Sequence, residues 1–177
     1  MKNFLQQAAA LGFSGCATVD VNQIPFDASL LKYCQENLCG RYGANYSCPP
    51  YCGTPQQMKD KVLSCKGAVV VQSVFDNINF DDAEAVSCCK ALHNSRLCQL
   101  LQYANQQGRN AFVIGATGCE KCNPCLVAVG QPCPYDEQVF SCTSAYCIDV
   151  AKLLQVCNLA YEWCQGKLFL CGLLVLR

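Results

Sequence analysis

Cysteine accounts for eighteen of the 177 residues, and the positions of these cysteines constrain the fold more than any other feature of the sequence. Eight of them fall in two irregular stretches, 34–52 and 119–133, where glycine, proline and asparagine replace helical or strand periodicity. Frequent cysteine has two common explanations. The chain is either a secreted scaffold stapled by disulfides or an intracellular protein whose thiolates bind metal.

The length and composition favour the second explanation. Disulfide scaffolds are usually short chains that cannot build a core, whereas 177 residues with 52% hydrophobic content can bury one. The first ten residues contain a single Lys, and Gln6 and Gln7 interrupt the apolar run that an export signal needs. No stretch approaches the eighteen apolar residues of a membrane span. We therefore expect a cytoplasmic protein with reduced thiols. An exported disulfide protein remains the less favoured explanation.

The charge balance excludes one large class of partners. Thirteen basic and thirteen acidic residues cancel, and no Lys/Arg cluster supplies the concentrated positive charge that phosphate backbones require. We expect neither nucleic acid nor a membrane as partner. A redox partner protein is compatible with the composition, and nothing in the sequence indicates the oligomeric state.

The hydrophobic pattern predicts an α/β (α+β) chain that forms one domain over residues 1–177. We expect a mixed β-sheet of about five strands, flanked by helices, with two irregular cysteine loops. A helix between the second and third strands predicts a parallel crossover, and residues 164–167 are a hairpin turn between the last two strands. The predicted strands are 14–21, 67–75, 111–116, 159–163 and 168–176, and the predicted helices are 2–11, 27–34, 54–64, 81–108 and 148–157.

The second cysteine loop carries the clearest metal pattern. Cys119, Cys122 and Cys125 are each separated by two residues, and seven residues later come Cys133 and Pro134. This C-x2-C-x2-C run with a following Cys-Pro is close to the bacterial ferredoxin pattern, in which short spacers turn consecutive thiolates toward one cluster. The gap before Cys133 is longer than in ferredoxins. Zinc is the alternative, although structural zinc sites prefer two separated C-x2-C pairs.

The first loop has an unusual spacing but a distinctive frame. Its four cysteines follow the pattern C-x4-C-x8-C-P-P-x-C, which matches no standard zinc or ferredoxin site. Gly40 and Gly43 allow backbone turns, and Pro49-Pro50 stiffens the chain. We interpret the loop as a second cluster or metal site, with a packed turn of buried thiols as the alternative. The candidate ligands are Cys34, Cys39, Cys48 and Cys52.

Together the two loops resemble those of a bacterial and archaeal family of cysteine-rich predicted metal-binding proteins, a domain of unknown function. The shared elements are C-x2-N-x-C-G-x-Y-G-x-N-x-x-C-P-P, then G-x-C-x2-C-x2-C-x7-C-P, then Ile148-Asp149-Val150, and they cover essentially the whole chain. The resemblance implies a metal-binding protein of anaerobes whose metal is held in iron–sulfur clusters. It implies no particular reaction.

Two positions depart from the family pattern. An Arg commonly follows the last loop cysteine, where this chain has Pro134. A Glu commonly precedes the Ile-Asp-Val segment, where this chain has Thr143 or Ser144. If those charged residues serve catalysis in the family, this chain has lost or altered that chemistry.

Ten cysteines lie outside the proposed ligand set. We expect most of them to pack as small apolar side chains, with Cys142 and Cys147 as the best additional ligands because they follow the second loop closely. His93, the one histidine, is expected to be a surface or packed helical residue, and Asp149 a helix cap.

The sequence therefore predicts a redox protein with one or two iron–sulfur clusters, most simply [4Fe–4S], that transfers electrons or reduces a substrate. Whether it is an enzyme is not indicated, and no catalytic residue is predicted. The alternative is a zinc-binding structural or metal-storage module.

Overall fold

The structure is a computed structural model that describes residues 1–135, 139–162 and 164–177. Its α-helices are α1 (Lys2–Ala10), α2 (Leu31–Gln35), α3 (Pro55–Leu63), α4 (Ala83–Gln106) and α5 (Val150–Val156). Its strands are β1 (Gly15–Val19), β2 (Gly67–Phe75), β3 (Ala111–Ile114) and β4 (Leu168–Leu176). Short 3-10 turns lie at Val21–Gln23, Ala28–Leu30 and Leu126–Val129.

Local capping explains where three of the helices begin. Thr54 and Gln57 form a reciprocal capping box at the start of α3, with Pro55 in its first turn. Asp82 accepts a hydrogen bond from the N–H of Ala85 at the start of α4. Asp149 accepts one from the N–H of Lys152 and so caps α5, as the sequence predicts.

The four strands form one sheet in the order β1-β2-β4-β3, and every neighbouring pair is antiparallel. The longest pairing joins β2 to β4 from Gly67–Leu176 to Phe75–Leu168. β2 and β3 run in the same direction, connected through α4, with β4 inserted between them. This arrangement is a split β-α-β unit.

The sheet is buried on both faces, which explains the continuous apolar sequences of its central strands. On one face, β2 residues Ala68 and Val70 pack in a core cluster with residues of α3 and α5. On the other face, Val69 and Val71 pack in a second cluster with residues of α1 and α4. The helices thus form a layer on each side of the sheet.

The α+β class, the flanking helices and the C-terminal strand are confirmed. The strand count is wrong, because the described residues form four strands. The expected mixed sheet is also wrong, because every neighbouring pair of described strands is antiparallel. The predicted parallel crossover is present, since α4 connects two strands of the same direction, β2 and β3. β4 inserts between them and satisfies the backbone of both in antiparallel register.

The C-terminal hairpin does not form within the described residues. Residues 159–162 are not in a strand, and Trp163 lies outside the described residues. β4 already has β2 on one edge and β3 on the other, so no edge remains for a hairpin partner. The segment instead contacts β2, where the Gln72 side chain donates a 2.7 Å hydrogen bond to the carbonyl of Ala160.

No helix among the described residues is both long enough and apolar enough to cross a membrane.

Candidate metal centre

A cavity of about 550 Å³ lies between α2, the first cysteine loop, the start of α4 and the segments that follow β3. Four thiols line it, three from the first loop and one from the segment that follows the second loop. We call them the cavity cysteines: Cys34, Cys39, Cys48 and Cys142.

Backbone pairing brings these distant segments together. Residues 26 and 148 form an antiparallel bridge, and the N–H of Asp27 donates to the carbonyl of Cys147. This places α2, and Cys34 on it, beside the chain that leads into α5. On the other side, Gly115 at the end of β3 bridges Cys142 through hydrogen bonds to the residues on either side of it. The chain therefore leaves β3, makes the second loop and returns to the same place.

The cavity cysteines influence one another electrostatically. Burial, and then repulsion from the neighbouring thiolates of Cys142 and Cys48, raises the pKa of Cys34 to about 11. Burial is also the main reason that the pKa of Cys48 rises to about 11. The Arg41 guanidinium acts in the opposite direction on Cys48. Cys34 and Cys48 are therefore neutral thiols near neutral pH, and a metal bound there would displace their protons and stabilise the thiolates.

Cys52, which the sequence groups with the first loop, lies near these thiols but does not line the cavity. Its side chain packs against the core cluster beneath the sheet. Burial, followed by repulsion from Cys48 and Cys142, raises its pKa to about 12. The sequence predicts Cys52 as the fourth ligand beside Cys34, Cys39 and Cys48. In the structure the fourth thiol that lines the cavity is that of Cys142.

The second loop holds the other predicted ligands, which we call the loop cysteines: Cys119, Cys122, Cys125 and Cys133. Burial raises the pKa of Cys119, and the nearby thiolates of Cys133 and Cys122 add to the effect. The structure therefore brings Cys133 back to the start of the C-x2-C run across a seven-residue gap. Cys125 precedes the 3-10 turn Leu126–Val129 and is partly buried.

The two loops are joined at the peptide of Cys119. Its N–H donates a 2.9 Å hydrogen bond to the hydroxyl of Ser47, which is fully buried. Its carbonyl accepts from the side-chain amide of Asn45 at 3.0 Å and from Arg41 at 3.3 Å. Arg41 also forms a 2.7 Å ion pair with Glu120. Arg41, Asn45 and Ser47, which precede Cys48 in the first loop, therefore all bind the peptide of Cys119.

Gly118 is required by this junction. A Cβ added there would collide with the hydroxyl of Ser47 and lie 3.4 Å from Sγ of Cys48. The backbone before the second loop is therefore in van der Waals reach of a cavity sulfur. The cavity cysteines and the loop cysteines are neighbouring groups rather than independent sites.

Two further contacts fix the loops in place. The buried amide of Asn94 on α4 donates to the hydroxyl of Thr117 and accepts from the N–H of Ala116. The hydroxyl of Tyr46 donates a 2.8 Å hydrogen bond to the carbonyl of Gln131. Asn94 therefore links the start of the second loop to α4, and Tyr46 links the first loop to the second.

The donor chemistry fits a soft metal or an iron–sulfur cluster. Within the described part of the chain, no group of three or more His, Cys, Asp or Glu side chains is arranged to hold a metal ion. The cavity cysteines instead line an open space, and every one of the eighteen cysteines is a free thiol. Cysteine thiolates are the ligands that iron–sulfur clusters and structural zinc use.

Most of the other cysteines pack as expected. Cys65 and Cys171 are buried in the core cluster with α3 and α5, and burial raises the pKa of Cys171 to about 12. His93 is also packed. It is fully buried, its Nδ1 lies 2.9 Å from the hydroxyl of Ser73, and burial lowers its pKa to about 4. Cys147, the other candidate extra ligand, is buried and does not line the cavity.

Comparison with known proteins agrees with this chemistry. The family model described as "Predicted metal-binding protein (DUF2284)" matches residues 17–176. Neither a curated protein nor a solved structure matches the chain. The matched range includes the cavity cysteines and the loop cysteines, so the metal-binding description applies to the part of the chain that contains both groups.

Proposed function

The chain belongs to this family of predicted metal-binding proteins, and on that premise we propose that it is an iron–sulfur protein with redox activity. The cavity cysteines would hold one cluster and the loop cysteines a second. The coarser statement, metal binding by a cysteine-rich domain, follows from the family match.

One observation carries the proposal. Three thiols of the first loop and Cys142 line a single cavity, directly beside a loop with the C-x2-C-x2-C spacing of ferredoxins. A site that only stapled the loops would need no cavity, because the hydrogen bonds at Cys119 already join them. A cavity beside a thiol group instead favours a site that receives something from solvent.

The protein residues would have simple roles. The thiolates hold the metal, and an iron–sulfur cluster supplies single-electron transfer. Arg41 stabilises the negative charge at Cys48, and the buried hydroxyl of Ser47 fixes the peptide of Cys119. Tyr42 lines the cavity and limits the access of water, which influences the potential of a nearby cluster.

The adjacency of the two groups supports electron transfer between them. Gly118 places the start of the second loop against the sulfur of Cys48. The loop cysteines are partly exposed, whereas Cys48 is buried. We therefore propose that electrons enter from a redox partner protein at the loop cysteines and reach the cavity through this junction.

The proposal is tested by metal analysis of protein purified without oxygen. We expect a brown protein with iron and acid-labile sulfide in equal amounts. Cys122→Ser and Cys142→Ser should each lose roughly half of the iron, because each removes a ligand from a different group. Cys88→Ser is the matched control, since Cys88 is exposed on α4 outside the cavity. A colourless protein with stoichiometric zinc would establish the structural-metal alternative instead.

A further inference from the structure

One wall of the cavity has no cysteine on it. It is a single face of α4 in which Ala83, Val86, Ser87 and Lys90 recur at intervals of three and four residues. Cys88 and Cys89 belong to the same helix but do not line the cavity. The contacts that this wall itself offers are therefore apolar, hydroxyl and ammonium contacts rather than sulfur ligands.

Lys90 gives this wall its charge. It lines the cavity, and no carboxylate among the described residues forms an ion pair with it. The other cavity cation, Arg41, is already paired with Glu120 and bonded to the carbonyl of Cys119. An ammonium group facing a partly enclosed cavity is stabilised by an anion, because water only partly solvates it there.

Three large apolar side chains also line the cavity. Tyr33, Leu38 and Phe80 line the cavity and are 55%, 90% and 46% exposed. Single exposed apolar side chains are ordinary, but three around one cavity provide a hydrophobic rim. The cavity volume of about 550 Å³, which a cluster at the cavity cysteines would share with a ligand, lies within the range of small-molecule sites.

We propose that the cavity binds a small organic carboxylate with an apolar body. The carboxylate pairs with the ammonium group of Lys90 and accepts a hydrogen bond from the hydroxyl of Ser87. The apolar body packs against the rim formed by Tyr33, Leu38 and Phe80. The inference rests on the proposed iron–sulfur function. A ligand bound here lies beside the cavity cysteines, so it would be the substrate of a cluster held by them.

Anaerobic calorimetric titration of the iron-loaded protein tests the inference. The probes are benzoate, phenylacetate and 3-phenylpropionate, each compared with its uncharged amide and with sodium sulfate. We expect at least one carboxylate to bind about tenfold or more tightly than its amide, and sulfate to bind more weakly. Lys90→Gln should weaken that carboxylate by about tenfold or more, with no effect on the amide. Lys66→Gln removes the same charge from an exposed position outside the cavity and should leave binding unchanged.

Iron and sulfide content is measured on the same samples, which separates the two levels of the hypothesis. Iron-free protein would overturn the proposed function and this inference with it. Iron-loaded protein that binds no carboxylate, or binds carboxylate and amide equally, would overturn the inference alone. The inference alone would also be overturned if Lys90→Gln shifted the midpoint potential of a cluster and left the carboxylate affinity unchanged. Lys90 would then act as a counter-charge to the cluster.

Discussion

The N–H of Cys119 and the hydroxyl of Ser47 are joined by a 2.9 Å hydrogen bond across 72 residues of sequence. Ser47 is fully buried and precedes a cavity cysteine, while Cys119 begins the ferredoxin-like run. The same hydroxyl donates to the side-chain oxygen of Asn45 at 2.8 Å. The Ser47 side chain is therefore the buried part of a junction that Asn45 and Arg41 complete at the carbonyl of Cys119.

We expect Ser47→Ala to lower the free energy of unfolding by about 1–3 kcal/mol, because it leaves the N–H of Cys119 buried without an acceptor. The measurement is urea unfolding of the variant and the wild type under anaerobic conditions. Ser64→Ala is the control, since its hydroxyl is exposed and bonds only to the last turn of α3. Equal stability of Ser47→Ala and the wild type would mean that the junction between the loops contributes nothing to folding.

The glycine beside this junction gives a steric prediction. Gly118→Ala should destabilise the protein by about 1–3 kcal/mol, because the new methyl group collides with the hydroxyl of Ser47 and forces the loops apart. We also expect less iron in the purified variant. Gly67→Ala is the matched control, because a Cβ there meets its nearest atom, the carbonyl of Val19, at an ordinary 3.5 Å. Similar losses in both variants would show that the effect of Gly118→Ala is not local.

The ion pair between the loops should contribute far less than the buried hydroxyl. Arg41 and Glu120 are 33% and 46% exposed, so water and salt screen their attraction. We expect Glu120→Gln to change the free energy of unfolding by less than about 1 kcal/mol and to leave the iron content unchanged. Thermal unfolding at low and high ionic strength measures the effect. A loss as large as that of Ser47→Ala would contradict the proposed ranking of the two contacts.

Cys142 and Cys52 allow the ligand set to be tested directly. The spacing of the first loop predicts Cys52 as a ligand, whereas the cavity lining favours Cys142. We expect Cys142→Ser to lose the iron of the cavity site and Cys52→Ser to retain it. Iron analysis together with the electron paramagnetic resonance spectrum of the reduced protein distinguishes them. The reverse pattern would restore the assignment based on spacing.

His93 should make stability depend on pH. Burial lowers its pKa to about 4, so the ring is neutral in the folded protein and charged in the unfolded chain below about pH 6.5. The unfolded state therefore binds an extra proton between these values, and stability falls as pH decreases through that range. Between pH 7 and pH 5 we expect a loss of about 2 kcal/mol from this group.

His93→Gln provides the comparison, because it retains a polar partner for Ser73 without titrating in this range. Urea unfolding of both proteins at the two pH values gives the difference, and acid effects on the thiols cancel. The same pH dependence in both proteins would show that His93 does not titrate between the folded and unfolded states.

Much of the fold is encoded in local patterns. The β2 boundaries at 67 and 75 and the long helix after Asp82 follow from a β-branched run and an acidic cap. The sheet order could not be predicted in this way, because the place of β4 depends on which strand edges remain free after the other strands pair. The free edges also explain why residues 159–162 form no hairpin with β4, since both edges of β4 are already paired.

The site shows a similar division. The spacing of Cys119, Cys122 and Cys125 is a local signal, whereas the position of Cys142 depends on its bridge to Gly115. That bridge joins segments separated by the whole second loop and leaves no spacing pattern in the sequence. Proximity to the second loop is the one sequence signal for Cys142, and it applies equally to Cys147, which is buried outside the cavity.

The position of β4 has a consequence for biosynthesis. It is the last of the four strands to leave the ribosome, yet it lies between β2 and β3 and forms hydrogen bonds with both. Until it emerges, β3 has no strand partner, and the bridge from Gly115 to Cys142 has no fixed support. The nascent chain therefore exposes all the cavity cysteines before it can hold them together. Metal loading is accordingly expected to follow completion of the sheet.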